Sequence, residues 1–189
     1  MVTLIGFSGS LRQGSFNSAL LRSAAEVLPA GAELRIASIR GIPLYDADVE
    51  NSEGIPTAVA ALKDGIASAD GLLLATPEYN NSMTGVMKNA IDWLSRPPPE
   101  IRRVFGGKAV ALMGASAGGF GTILSQNAWL PVFRTLGAQL WSEGRLLVPR
   151  AQGVFGQDGA LTDPKVREAL RRFLEDYVKF VESTRQARP

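Results

Sequence analysis

The sequence predicts a doubly wound α/β domain in which five parallel strands form an open sheet with helices on both faces. Short apolar, β-prone runs alternate along the chain with longer segments in which apolar residues recur every three to four positions. Two runs, 71–75 and 108–113, are apolar nearly throughout, which is typical of strands covered on both faces. No internal repeat or low-complexity tract interrupts the alternation, so we expect residues 1–189 to form one domain.

The strands and helices follow in turn. Five strands are predicted at residues 2–7, 32–39, 71–75, 108–113, and 139–141 with 146–148, the last being interrupted at Glu143-Gly144. Helices are predicted at residues 17–28, 56–68, 84–95, 123–136 and from 163 onward. Asp163-Pro164 is typical of an N-cap followed by a first helical residue, and Pro131 is expected to kink its helix.

The segment 40–55 lacks a clear period and is predicted to be irregular, with its acids in a solvated loop; these are Asp46, Asp48, Glu50 and Glu53. Four large apolar residues on the helices after the predicted site loops have two possible uses, as core or as the face of a homodimer. They are Trp93, Leu94, Trp129 and Phe133.

The 189 residues include neither histidine nor cysteine. This excludes Ser-His-Asp and Cys-His catalysis, disulfides, iron-sulfur clusters and zinc sites built on imidazole or thiolate, and we expect no bound metal. Any chemistry must come from carboxylates, Lys, Ser, Tyr, the backbone or a cofactor that brings its own reactivity.

Charge and hydropathy argue against binding to nucleic acid and against insertion into a membrane. The net charge is +2, with no basic cluster that would track a nucleic acid. The apolar runs are strand-sized, and the first strand pattern starts at Val2 without a leader, so we expect a cytoplasmic protein with no membrane segment.

The predicted topology indicates where a ligand binds. Open parallel sheets bind ligands beyond the carboxyl ends of their strands, at the point where the strand order reverses. For the order 2-1-3-4-5 this point lies between the first and third strands. The loops after strands one, three and four are therefore the candidate binding loops.

The first loop, residues 8–18, has more serines than a turn and a helix cap require, and it ends at a helix N-terminus. Hydroxyls, free helical N–H groups and the guanidinium of Arg12 suit a phosphate dianion, although a plain turn with an N-cap is the alternative. Gly9 and Gly14 have the spacing of a P-loop, but Ser15-Phe16 stands in place of its Lys-Ser/Thr pair. A G-x-G-x-x-G dinucleotide motif is also absent.

The other two loops suit a flat ring. Residues 77–83 read PEYNNSM, and their amides, backbone N–H groups and aromatic ring fit a heteroaromatic ligand as well as they fit simple turn chemistry. Residues 114–121 are rich in glycine, which lets the backbone approach a ligand closely. Ser116 lies in a G-x-S-x-G pattern, but without histidine it has no base and is not a hydrolase nucleophile.

Together the three loops resemble the NADPH-dependent FMN reductase family of flavodoxin-like proteins, which includes bacterial quinone and chromate reductases. The resemblance rests on GSLR at 9–12 with SFN at 15–17, on PEYN at 77–80 continuing to GVMKNAIDW at 85–93, and on SAG at 116–118. It implies that the first loop binds the FMN phosphate and that the other two loops border the isoalloxazine ring. The residues implied are Ser8, Ser10, Arg12, Ser15, Asn17, Ser18, Pro77, Glu78, Tyr79, Asn80, Ser82, Ser116, Gly118 and Gly119.

The resemblance also implies a reaction, in which NADPH reduces FMN and the flavin then reduces a quinone-like acceptor without a catalytic side chain. Glu78 is expected to act through its backbone, so that Glu78→Gln keeps FMN and most activity. A homodimer or homotetramer is expected, and Leu124 stands where the reductase branch carries Arg, so that subunit contacts of that Arg do not transfer. The alternatives are a flavodoxin-type single-electron carrier, which the basic composition argues against, and a phosphate-binding module without redox activity.

Overall fold

The computed structural model describes residues 1–186 and contains a sheet in which neighbouring strands run parallel, in the order β2-β1-β3-β4-β5. The predicted fifth strand is divided in two by the interruption at Glu143-Gly144. Its second part, β6, pairs with β4 beyond the end of β5. The predicted order is thereby confirmed. The strands are β1 Val2–Ser8, β2 Ala32–Ile36, β3 Gly71–Ala75, β4 Ala109–Ala115, β5 Gln139–Leu140 and β6 Leu146–Val148.

Helices cover both faces of this sheet. Buried side chains of α1 and α7 form one core with one set of strand residues, and those of α3, α4 and α6 form a second core on the other face. Along β3, Leu73 faces the first core while Leu72 and Leu74 face the second, which explains the uninterrupted apolar run. The helices are α1 Phe16–Glu26, α2 Ala47–Glu53, α3 Thr57–Ser68, α4 Gly85–Leu94, α5 Ile101–Val104, α6 Ile123–Thr135 and α7 Pro164–Gln186.

The segment predicted to be irregular contains a helix, so that prediction is wrong for α2. Asp46 caps this helix, its carboxylate accepting the Asp48 N–H at 2.8 Å, and Asp48 and Glu50 lie in the first turn, where negative charge favours a helix. No residue of α2 is buried, so the segment has no apolar period that would reveal it. The second strand also ends earlier than predicted, at Ile36 instead of residue 39.

The four large apolar residues with two possible uses belong to the core. Trp93, Leu94, Trp129 and Phe133 are all fully buried within the chain. Of the two alternatives, the core is therefore confirmed and the homodimer face is excluded for these four side chains, because a buried side chain offers nothing to a second subunit.

The last helix is fixed at its start and along its length. The Asp163 carboxylate accepts the N–H groups of Lys165 and Val166, as its N-cap pattern predicts. The buried hydroxyl of Tyr177 lies 3.0 Å from the carbonyl oxygens of Leu72 and Ala109, and burial raises its pKa above the ordinary value.

Between residues 1 and 186 no helix has both the length and the apolar character needed to cross a bilayer.

Candidate functional site

A cavity of about 370 Å³ lies at the carboxyl ends of β1, β3 and β4, where the strand order reverses. All three predicted loops contribute to its wall, and its volume is within the range of small-molecule sites. The predicted residues that line it are Ser10, Arg12, Ser15, Asn17, Pro77, Glu78, Tyr79, Ser116 and Gly118. Phe16, Ala115 and Ala117 complete the lining and were absent from the predicted set.

The first loop delivers a helix N-terminus to one end of the cavity. Ser15 caps α1, and its Oγ accepts the Ser18 N–H at 3.3 Å. The N–H groups of Phe16 and Asn17 are in the first turn, where helix geometry leaves them without an intrahelical acceptor. These donors, with the positive end of the helix dipole, suit an anion.

Asn17 has a second use that the sequence did not indicate. Its side chain is buried and pairs with the backbone of Ala115, Nδ2 donating to the carbonyl at 2.8 Å and Oδ1 accepting the N–H at 2.9 Å. The pairing ties the first loop to the end of β4. Any contribution of Asn17 to anion binding therefore comes first from its backbone.

Arg12 supplies a positive charge at the rim. Its guanidinium lies over the ring of Phe16, with 5.5 Å between the guanidinium carbon and the ring centroid, and Phe16 stacks on Phe155. The stack limits where the exposed Arg12 side chain goes and keeps its charge beside the α1 N-terminus.

The second loop is a tight hairpin. The N–H and carbonyl of Tyr79 both bond to Ser82 at 3.0 Å, and Asn80 and Asn81 have φ angles of 51° and 60°. Two successive positive φ angles are typical of a type I′ turn, which asparagine tolerates. Tyr79 remains 56% exposed, so its ring is available to a ligand. Within the described chain, the N–H groups of Glu78 and Asn80 have no protein acceptor.

The Glu78 carboxylate has a partner that sequence reasoning missed. Its Oε2 accepts the N–H groups of Leu124 and Ser125, at 2.8 and 3.1 Å, at the start of α6. The expectation that Glu78 acts only through its backbone is thus incomplete, because the carboxylate joins the second loop to the helix that follows the third.

The third loop leaves β4 at a crowded point. Ser116 lines the cavity, and its hydroxyl donates to the carbonyl of Gly121 at 2.5 Å. Packing within the protein, and not a ligand, requires glycine at position 114. A Cβ there would lie 1.9 Å from Thr122 Oγ1 and 2.5 Å from the Thr76 carbonyl oxygen. At Gly118 the nearest atom to such a Cβ is Ser116 Oγ at 3.8 Å, so that position is open.

Five predicted residues lie near the cavity without lining it. Ser8 ends β1, and its Oγ accepts the Ser10 N–H at 3.3 Å, so it shapes the first loop from within. Ser18 follows Ser15 in the first turn of α1, Asn80 and Ser82 belong to the hairpin, and Gly119 is exposed in the third loop.

The cavity therefore combines an anion-binding end with a wall of loop backbone and an aromatic ring. The residues present fit a mononucleotide whose phosphate meets the α1 N-terminus and whose flat ring meets the other two loops. Across the described residues no cluster of three or more acids is arranged to hold a metal ion. Fold and site together define a nucleotide-binding flavodoxin-like protein.

Comparison with known proteins identifies the family. Residues 2–153 match the family described as NADPH-dependent FMN reductase. An NAD(P)H-dependent FMN reductase of Pseudomonas aeruginosa is 44% identical over 92% of both chains, and a quinone reductase of Escherichia coli is 38% identical over 96% of this chain and 95% of its own. The solved structure of FerB, a flavoenzyme NAD(P)H:(acceptor) oxidoreductase from Paracoccus denitrificans, is similar with a TM-score of 0.86 and 30% identity, covering 97% of this chain and 99% of its own.

The chain belongs to the NADPH-dependent FMN reductase family. It is an oxidoreductase that uses FMN and NAD(P)H, as the resemblance in its three loops predicts.

Proposed function

We propose that the cavity binds FMN with its phosphate at the N-terminus of α1 and its isoalloxazine ring between the second and third loops. The observation that carries the proposal is the convergence of all three loops on one cavity at the switch point of the sheet. The phosphate ligands in this arrangement are the hydroxyls of Ser10 and Ser15, the guanidinium of Arg12, and the N–H groups of Phe16 and Asn17.

In this proposal the backbone of the second loop stabilises the isoalloxazine ring. Its free Glu78 and Asn80 N–H groups are fixed dipoles, held by the hairpin before any ligand arrives, and they favour negative charge on a reduced ring beside them. Tyr79 is exposed at the rim and offers a wall for the nicotinamide or for an acceptor.

We propose a quinone as the electron acceptor. The chemistry that FMN supplies when bound is two-electron transfer from NAD(P)H to that acceptor. The proposal is supported by relatives named quinone reductase and by the exposed ring of Tyr79 at the rim of the cavity, which offers a flat surface to an acceptor. Because NAD(P)H is a cytoplasmic reductant, we propose that the reaction takes place in the cytoplasm.

A flavodoxin-type carrier is less well supported, because the relatives are named as reductases.

Anaerobic reduction tests this function. We expect NADPH or NADH to bleach the visible absorbance of the FMN-loaded protein, and 1,4-benzoquinone to restore it, with no second protein present. Failure of both nicotinamides to bleach the flavin contradicts the enzyme assignment. Bleaching without reoxidation by the quinone contradicts the proposed acceptor.

We also propose that the protein forms a homodimer or homotetramer through α4 and α6. Val86 on α4, and Leu124 and Leu130 on α6, are apolar and exposed, and a groove lies between the two helices. Exposed apolar side chains on neighbouring helices favour association. Light scattering is expected to give two or four times the mass of the chain, and the mass of a single chain contradicts this proposal.

A further inference from the structure

We infer that the carboxylate of Glu78 is a positioning group for the flavin site, which it orders by capping α6 from the second loop. The inference rests on the proposed binding of FMN between the second and third loops. It assigns Glu78 a role through α6, separate from any contact of its backbone with the ring.

The N-terminus of α6 lacks a cap from its own segment. Thr122 precedes the helix, but its side chain makes no capping bond within the described structure and instead accepts the Gln126 side-chain amide at 3.2 Å. Glu78 supplies the missing acceptor, although it is 46 residues away from Leu124 in sequence. The negative charge also lies at the positive end of the helix dipole, which strengthens the cap.

A buried hydrogen-bond cluster makes a second connection between the same two elements. Thr76, at the start of the second loop, accepts the indole N–H of Trp129 at 2.9 Å, and its hydroxyl lies 2.7 Å from that of Ser125. All three side chains are fully buried. Pro77, which lines the cavity, therefore lies between two residues that are both attached to α6.

These connections fix one loop relative to the other. The third loop ends where α6 begins, so the Glu78 cap sets the distance between the two loops that border the ring. Tyr79, Asn80 and Asn81 are exposed, and the backbone hydrogen bonds of the hairpin lie within it, between Tyr79 and Ser82. Loss of the carboxylate is therefore expected to loosen this side of the cavity while the first loop stays intact.

The chain contains a matched control for this cap. Asp163 Oδ1 accepts the second and third N–H groups of α7 at 2.8 and 3.1 Å, the same positions and distances as for Glu78 on α6. Asp163 is adjacent in sequence to its helix and does not line the cavity. Removing either carboxylate costs one helix cap, but only Glu78 connects two loops of the site.

The experiment compares FMN binding, measured by flavin fluorescence quenching, and thermal unfolding of the FMN-free protein. Glu78→Ala is expected to raise the Kd for FMN about tenfold, and Asp163→Ala to leave it within about twofold, with similar losses of Tm. Glu78→Gln keeps a carbonyl oxygen for the helix and is expected to stay within about threefold of wild type.

Equal Kd values for Glu78→Ala and Asp163→Ala, with equal losses of Tm, overturn the inference, because the carboxylate then only stabilises a helix. If Glu78→Ala does not fold, Glu78→Asp replaces it, with a carboxylate too short to reach both N–H groups and an expected rise in Kd of about threefold or more. An unchanged Kd in that variant also overturns the inference. Wild-type protein that fails to bind FMN contradicts the proposed function itself, which separates the two failures.

Discussion

Arg12→Ala is expected to weaken FMN binding about 30-fold, which corresponds to the loss of one charged hydrogen-bonding partner of a phosphate. The guanidinium lies beside the N-terminus of α1 and is stacked on Phe16, so its charge is already in position before the phosphate arrives. Truncation removes the charge but leaves the Ser15 cap and the helix intact.

The measurement is an FMN titration of Arg12→Ala beside Arg22→Ala, which removes an exposed arginine from α1 without changing the cavity lining. We expect Arg22→Ala to bind FMN as wild type does. If both variants bind FMN equally well, Arg12 has no part in holding the phosphate.

Gly114→Ala is expected to destabilise the protein by about 3 kcal/mol. The added methyl would overlap Thr122 Oγ1 and the Thr76 carbonyl oxygen, and the second of these is backbone that moves only with the end of β3. Both loops that border the proposed ring position would have to shift, so weaker FMN binding is expected as well.

Urea unfolding of the FMN-free protein checks this result, with Gly118→Ala as the control in the same loop. Gly118 has open space around the position of a Cβ, so its substitution is expected to change the free energy of unfolding by less than about 0.5 kcal/mol. Equal stabilities of the two variants would show that the crowding at Gly114 is relieved without cost.

The fold was predictable because its strands and most of its helices bury apolar side chains in regular patterns. The run at 71–75 faces two cores, and the period of residues 84–95 marks the buried side of α4. The helix α2 buries nothing, so no apolar period marks it, and the acids of its N-cap and first turn were assigned to a solvated loop. The period alone also left open whether Trp93 faces the core or a partner.

The location of the site was predictable from topology, but its internal contacts were not. The carboxyl ends of parallel strands meet at one edge, so three loops far apart in sequence were expected together. The Asn17–Ala115 pair spans 98 residues, and Glu78 reaches α6 across 46. No local pattern encodes such pairings, because an asparagine or a glutamate in a loop serves a ligand or the backbone equally well.

The most direct test of the account compares wild-type affinity for FMN with its affinity for riboflavin, which lacks only the phosphate. If the α1 N-terminus, the serine hydroxyls and Arg12 hold that phosphate, FMN is expected to bind at least about 100-fold more tightly. Equal affinity for the two flavins would contradict the account, because the first loop would then contribute nothing to recognition.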